Sequence, residues 1–359
     1  FLFAPFWGRL SDRVGRRPVM LVSVILTAVG HFIFASASGL EVLFFARALA
    51  GFGGANLGIA QALIADCTPP DERAKGMGLV GAAFGLGFIF GPAIGAFLGQ
   101  HDPTTPLFAA AALSCLNAIL IIVVLPETLP TGERTKITRP NLVSQLRQVR
   151  HNHNAHLILW ITLVSITAFA QMEQAIALYI EHTWVIDPAL STNARISEAS
   201  KLTGIYLVAI GVTAAIIQGG LIGPLSKRFG EVKLCIFGLC VTTIGLALIP
   251  IVGGLGRFSY LVMLAPILAT GTSCLIPSKN SLLSKSVESA QQGTIMGFNQ
   301  SAAALGRVIG PACTGVIYEF HMNYPFYVGS ALMVMGLILS LGLRPANANT
   351  TRKTPSEPA

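Results

Sequence analysis

The sequence predicts an all-α polytopic membrane protein, and three observations lead to this fold class. Hydrophobic residues make up 53% of the 359 residues, charged residues only 11%, and the mean hydropathy is +0.67. A soluble domain carries about 25% charged residues. Ten stretches of the chain stay apolar for roughly 20 residues, the length that a helix needs to cross a bilayer. The lysines and arginines concentrate in the segments between these stretches.

The first half, residues 1–125, contains one partial span and four full spans. The chain begins with Phe and within an apolar run at 1–7, which we interpret as the end of a span that starts upstream. The full spans are expected at about 18–38, 40–66, 76–99 and 106–125.

The second half is expected at 156–343, after a polar segment at 126–155 that we interpret as a cytoplasmic linker. Residues 344–359 are polar and are expected to form a disordered cytoplasmic tail. The six spans of this half are expected at about 156–181, 202–225, 232–252, 258–284, 292–318 and 324–343.

The distribution of positive charge predicts the orientation of the spans. Nineteen of the 24 lysines and arginines, Lys279 among them, fall on the side of the loop at 8–18, and three fall on the other side. The remaining two, Arg47 and Arg307, lie inside predicted spans. Cytoplasmic loops are enriched in Lys and Arg, so this loop and both native termini are expected to be cytoplasmic.

The most charge-dense stretch is 8–18, which reads GRLSDRVGRRP between two apolar runs. Gly8 and Gly15 permit a turn, and Pro18 suits the first turn of a new helix. Asp12 stands among four arginines, so we expect it to pair across helix ends and hold two helices together.

This stretch resembles the signature G-x-L-x-D-R-x-G-R-[RK]-x of the major facilitator superfamily. The resemblance implies two six-helix halves that rock around a substrate site at mid-depth, here without helix 1 and most of helix 2. It also implies a latch near Asp66, which closes the span at 40–66; a solvated helix end is the alternative for that residue. The implied gating residues are Gly8, Asp12, Arg13, Gly15, Arg16, Arg17 and Asp66.

An internal repeat supports two related halves. Residues 223–230, GPLSKRFG, match 8–15 at an offset of 215, with Lys227 in the place of Asp12. Gly306, Gly310 and Pro311 match a glycine and proline pattern in the first half at an offset of 219.

That first-half pattern, in the span at 76–99, resembles the antiporter signature G-x-x-x-G-P-x-x-G-G, with Ala96 in place of the last glycine. Glycines at this spacing form a face on which another helix can lie closely, and proline permits a kink. Ordinary close packing of helices is the alternative. The interface residues are Gly87, Gly91, Pro92 and Gly95.

Three charged residues inside spans are candidates for proton coupling, because intramembrane charges are costly. Arg47 lies in a stretch that resembles the superfamily's R-x-x-x-G signature, and a packing arginine is the alternative. Glu173 and Arg307 are hypothesised to pair in one state of the cycle, and a permanent structural pair is the alternative. The candidates for the substrate cavity are Asn56, Gln61, Gln171, Glu173 and Asn299.

The resemblance implies a drug:proton antiporter similar to the tetracycline-efflux proteins, which exports a small amphipathic solute in exchange for protons. The expected partners are a small-molecule substrate, protons and the lipid bilayer of the inner membrane, with no nucleic acid, and the chain is expected to be a monomer. No cofactor, metal site or enzymatic centre is expected, because neither a nucleophile and base pair nor a phosphate-binding loop is found. Proton-coupled uptake and a non-transporting receptor or scaffold are the alternatives.

Overall fold

The computed structural model describes residues 3–54, 56–69, 72–98, 104–128, 152–185, 192–287 and 292–344, and their regular structure is entirely helical. A π-helical turn, Ile217–Leu221, joins the helices Thr192–Ile216 and Ile222–Phe229. The helices are α1 (Ala4–Val14), α2 (Arg16–Ala35), α3 (Leu40–Gly53), α4 (Asn56–Cys67), α5 (Arg73–Leu98), α6 (Thr105–Val124), α7 (His153–Trp184), α8 (Thr192–Ile216), α9 (Ile222–Phe229), α10 (Glu231–Gly254), α11 (Phe258–Lys285), α12 (Gln292–Phe320) and α13 (Tyr324–Ser340).

The predicted all-α polytopic fold is confirmed. Seven helical segments of the described residues are long and apolar enough to cross a membrane. The shorter α13 is also apolar, and the spans expected at 76–99 and 292–318 correspond to α5 and α12. The seven segments are Arg16–Ala35, Leu40–Cys67, Thr105–Val124, His153–Trp184, Glu198–Phe229, Glu231–Gly254 and Phe258–Lys285.

The charged stretch at 8–18 is mostly helical, which corrects the predicted loop. Gly8 lies within α1, and the break between α1 and α2 is confined to Gly15, whose φ of 123° favours glycine. The repeat shows the same break at Gly230, where φ is 78° between α9 and α10. The two copies therefore share a helix, a single glycine and a second helix.

Other boundaries differ from the prediction in ways that the sequence explains. The span expected at 40–66 consists of α3 and α4, and Asn56 begins α4 by accepting a hydrogen bond from Leu57 N at 2.8 Å. Helix α8 begins at Thr192, so part of the predicted polar loop is helical. Most of the predicted linker, 129–151, and the tail, 345–359, lie outside the described residues.

The repeat divides the helices into two sets, which we call the first bundle (α1–α6) and the second bundle (α7–α13). In the first bundle α2 packs against α3 and α6. In the second bundle α7 packs against α12 and α13, and α10 packs against α11 and α13. The bundles meet where α1 and α4 contact α12, and where α5 contacts α8 and α11.

Candidate functional site

A buried ionic cluster joins the two bundles, and we call it the gate cluster: Ser11, Asp12, Arg16, Asp66 and Thr294. Arg16 is 0% exposed and Asp12 is 1% exposed. Arg16 Nε lies 3.0 Å from Asp66 Oδ2, and Arg16 Nη1 bonds to Asp12 Oδ1 and, at 3.0 Å, to Ser11 Oγ. The guanidinium therefore ties α1, α2 and α4 together.

Asp12 extends this cluster across to the second bundle. Its Oδ2 accepts hydrogen bonds from Thr294 N at 3.1 Å and from Thr294 Oγ1 at 2.8 Å. Thr294 lies in the first turn of α12, where free N–H groups and the helix dipole favour a negative charge. Asp12 thus neutralises Arg16 and holds the start of α12 with the same carboxylate.

The other motif residues support the helix ends. Arg13 is exposed, whereas the Arg17 guanidinium donates to Ile122 O, near the end of α6. Glu127 accepts from the backbone N–H of Arg16 at 2.9 Å and of Arg17 at 3.3 Å, at the start of α2. The motif indicated Arg17, but nothing in the sequence connected Glu127 or Thr294 with it.

A second set of contacts closes the bundles at the same end of the molecule, which we call the Asp12 end. Lys227 Nζ, on α9, lies 2.9 Å from Glu72 Oε1, before α5. Both side chains are substantially exposed, so this pair contributes about 0–1 kcal/mol. The packing is tighter at Gly78 of α5, where an added Cβ would lie 2.6 Å from Gln218 O.

In the part of the chain that the structure describes, no helix packs closely on the glycine pattern of α5, in contrast to the prediction. A Cβ added at Gly87, Gly91 or Gly95 would meet no atom of the described residues within 4 Å, and α5 runs on through Pro92. The expected packing is found instead at the repeated pattern in α12, which lies directly on α7.

The two copies of the pattern differ in their described neighbours. A Cβ added at Gly306 would lie 3.0 Å from Leu163 O, and one at Gly310 would lie 2.8 Å from Thr167 O, both on the α7 backbone. No helix of the described residues comes equally close to Gly87, Gly91 or Gly95. The described chain therefore includes no helix in the equivalent place beside α5.

We expect Gly310→Leu to destabilise the protein by about 1–3 kcal/mol, because the new side chain overlaps the α7 backbone. Gly91→Leu is the matched control at the repeated position, and it should leave stability nearly unchanged. Thermal unfolding of both variants in one detergent measures the difference. Equal loss of stability in the two variants would contradict the packing described for α12.

A cavity of about 380 Å³ lies between the bundles. Its wall includes residues of α4 and α5 from the first bundle and of α7, α8, α11 and α12 from the second. Gln300 Nε2 donates to Gln61 Oε1 at 2.9 Å across the interface between the bundles. A ligand in this cavity would contact both bundles.

A chain of hydrogen bonds forms one polar side of the cavity. Thr162 Oγ1 donates to Asn299 Oδ1 at 2.8 Å, and Asn299 Nδ2 donates to Asn280 Oδ1 at 3.1 Å. Three helices, α7, α12 and α11, are joined in this way. All three residues line the cavity.

Glu173 and Arg307 also line the cavity, on α7 and α12. They interact electrostatically, but in this conformation they form no hydrogen bond, and no guanidinium N of Arg307 lies within 4.0 Å of a Glu173 carboxylate O. The predicted direct pair is therefore absent from this state, and both groups are exposed to the cavity.

The charge count places Lys279 on the cytoplasmic side, near the end of the span expected at 258–284, and the structure corrects its surroundings. Helix α11 continues to Lys285, so Lys279 lies within it, 2% exposed and on the cavity wall. Its Nζ lies 3.4 Å from Ser165 Oγ of α7. Removing it from the loop count does not change the predicted orientation.

The remaining candidates are divided between the cavity and other places. Gln61 and Asn299 line the cavity, whereas Asn56 and Gln171 are not part of its wall. Gln171 is buried, and its backbone oxygen accepts from Thr314. Arg47 is exposed, 4.0 Å over the ring of Phe34, so this geometry favours the packing alternative for it.

Comparison with known proteins agrees with this architecture. The chain is 34% identical over 323 residues to the tetracycline resistance protein, class G, of Vibrio anguillarum, covering 89% of this chain and 77% of that one. It is 29% identical to the class B protein of Escherichia coli, over 95% of this chain and 82% of the relative. The multidrug resistance protein 2 of Bacillus subtilis (strain 168) is 28% identical, over 94% and 82%.

The fold resembles the crystal structure of the human organic anion transporter MFSD10 (TETRAN), with a TM-score of 0.70 and 24% identity. The match covers 95% of this chain and 80% of that one. The model of the Major Facilitator Superfamily matches twice, over residues 1–183 and 182–359. The chain therefore belongs to the Major Facilitator Superfamily and is a multi-pass membrane transporter rather than an enzyme.

Proposed function

We propose that this transporter exports a small amphipathic solute in exchange for protons by alternating access. The observation that carries the proposal is a cavity between two bundles that are joined at one end by the buried gate cluster. This arrangement suits a state that is closed at the Asp12 end.

The orientation of the spans gives the direction of access. The charge distribution predicts that the Asp12 end is cytoplasmic. The state described here then faces outward, with Asp12, Arg16, Asp66 and Thr294 as its cytoplasmic latch. Opening the latch must separate Asp12 from Thr294, so the inward-facing state requires another partner, or water, for both groups.

Glu173 is the proposed proton carrier. It faces the cavity within electrostatic range of Arg307, without a direct bond between them. Protonation removes the attraction between a carboxylate and a guanidinium, and a solute that enters the cavity changes the solvation of both groups. Proton binding and solute binding are thereby coupled at one place.

Efflux and the amphipathic substrate are supported by the curated relatives, whose names describe tetracycline and multidrug resistance. The cavity wall combines Phe169, Ile210 and Ile276 with the polar chain of Thr162, Asn299 and Asn280. Such a wall suits a solute with one apolar and one polar side.

A flux assay in inverted membrane vesicles tests this proposal with the full-length protein. Vesicles with an acidic interior are given tetracycline, a lipophilic cationic dye and a lipophilic organic acid, and accumulation is compared with vesicles that lack the protein. We expect at least one solute to accumulate and a protonophore to abolish its accumulation. If the protonophore does not reduce accumulation, proton coupling is contradicted. If the pH gradient accelerates only the movement of solute out of the inverted vesicles, proton-coupled uptake into the cell is supported instead.

A further inference from the structure

We propose that the cavity binds organic anions, with the acid group of the solute next to Lys279. This inference names the substrate class for the transport proposed above and rests on the cavity being the transport site. It is carried by a buried cation on the cavity wall whose described surroundings contain no counter-ion.

Among the described residues, a hydroxyl and a thiol lie near Lys279, and it also interacts electrostatically with Arg307, a second cation. The Lys279 ammonium lies 3.4 Å from the Ser165 hydroxyl, and Cys235, a buried thiol, is close enough to interact with it electrostatically. No carboxylate of the described residues lies within 4.0 Å of Nζ. Burial of an ammonium group costs free energy unless a charge or strong acceptors compensate it, so the place beside Lys279 favours an anion.

The charges of the cavity point in the same direction. The described wall holds Lys279, Arg307 and Glu173, which gives two cations and one carboxylate. Glu173 already interacts with Arg307, so Lys279 is the cation left without a carboxylate in this cavity. A cationic solute would add a third positive charge to this wall, whereas an anionic solute balances it.

Amide side chains next to Lys279 provide hydrogen-bond donors for an acid group. Asn280 follows Lys279 on α11, and its Oδ1 is occupied by the N–H of Asn299 at 3.1 Å. The oxygen of Asn299 is occupied in turn by Thr162. The Asn280 side chain therefore has N–H groups to offer a ligand, and donors beside an ammonium group suit a carboxylate.

The rest of the wall accommodates an apolar body. Much of it is formed by aliphatic and aromatic side chains on both bundles: Met77, Val80, Ile166, Phe169, Ile210 and Ile276. The solute class that fits is an amphipathic organic acid. Its charged group lies beside Lys279, and its ring system or chain contacts these residues.

Equilibrium dialysis of the purified full-length protein in detergent tests the proposal with three probes of similar shape and different charge. They are naphthylacetate, naphthylacetamide and naphthylethylammonium, each corrected for binding to protein-free micelles. We expect the acetate to bind roughly tenfold or more tightly than the amide, and the ammonium probe most weakly. Equal affinities, or a preference for the ammonium probe, overturn the proposal without any variant.

Variants then test whether Lys279 causes the preference for the acetate probe. Lys279→Gln should reduce the affinity for the acetate to that for the amide, and Lys279→Arg should retain the preference for the anion. Lys233→Gln is the matched control, because Lys233 is exposed at the start of α10 and lies outside the cavity wall. An acetate preference that survives Lys279→Gln, or that Lys233→Gln abolishes as well, places the anion elsewhere and overturns the assignment.

The dialysis assay and the vesicle assay distinguish failure of the anion site from failure of the proposed antiport. Dialysis uses no gradient, so a preference for the anion that depends on Lys279 supports this inference whatever drives transport. If the acetate binds in this way but none of the solutes in the vesicle assay moves with the pH gradient, the proposed antiport fails and the anion site stands. If a cation moves and the acetate does not bind, the anion site fails alone.

Discussion

Arg16→Ala should nearly abolish transport while the protein still inserts in the membrane. The substitution leaves Asp12 and Asp66 facing each other, with Asp12 fully buried and Asp66 mostly buried, and removes the guanidinium that joins them. Removal of one partner from a buried ionic cluster costs about 3–5 kcal/mol. Because Asp12 also holds Thr294 of the second bundle, we expect the loss to disfavour the state that is closed at the Asp12 end.

Arg13→Ala is the matched control for this change. Arg13 belongs to the same motif and carries the same charge, but it is exposed and lies outside the gate cluster. Flux is compared in vesicles that contain equal amounts of each protein. Asp12→Asn, which keeps an acceptor for Thr294 and loses the charge, should give an intermediate rate. Equal flux for Arg16→Ala and Arg13→Ala would contradict the latch.

Glu173→Gln should remove the dependence of transport on the pH gradient and preserve the binding of solute. Glutamine keeps the shape and polarity of the side chain, but it cannot exchange a proton. Arg307 would then face a neutral partner at every pH, so protonation at this position could no longer alternate with solute binding. The measurement is flux with and without the gradient, together with binding of the same solute.

Glu181→Gln provides the control on the same helix. Glu181 lies near the end of α7, where Arg195 Nη2 is 3.4 Å from its Oε1, and it is outside the cavity with Arg307. This variant should keep the gradient dependence. If the Glu173→Gln protein keeps full gradient-driven flux, Glu173 has only a structural role. Another residue would then have to be the acid that couples protons to transport.

The sequence predicted the membrane fold and part of the gate because both leave local signals. Apolar runs give the spans, and the motif at 8–18 places Asp12 and Arg16 close together in sequence, on either side of the break at Gly15. Thr294 could not be predicted, because 282 residues separate it from Asp12. A threonine near the start of a span does not indicate in the sequence which residue it will hydrogen-bond.

Lys279 shows where hydropathy misleads. The polar run Ser278, Lys279 and Asn280 has the composition of a span end, so the sequence placed the lysine near solvent. The helix continues to Lys285, and the cavity supplies the polar surroundings that the run requires. A polar run at the end of an apolar stretch therefore indicates either a loop or a cavity, and only packing distinguishes them.

The glycine patterns show that a small residue does not by itself predict close helix packing. Gly91 and Gly310 belong to the same repeated motif, but among the described residues Gly310 alone of the two meets another helix, because α7 lies beside it. A small residue indicates that close packing is permitted at a position. Whether it occurs depends on which helix the rest of the fold brings there.

We propose that solute and protons move through one cavity in opposite directions. The most direct test imposes a gradient of a transported solute across proteoliposomes without a pH gradient, and follows the internal pH with a trapped dye. Solute that leaves the vesicles should drive protons in, so the interior should become acidic, and the signal should be lost in Glu173→Gln. Solute flux with no change of internal pH would contradict the account.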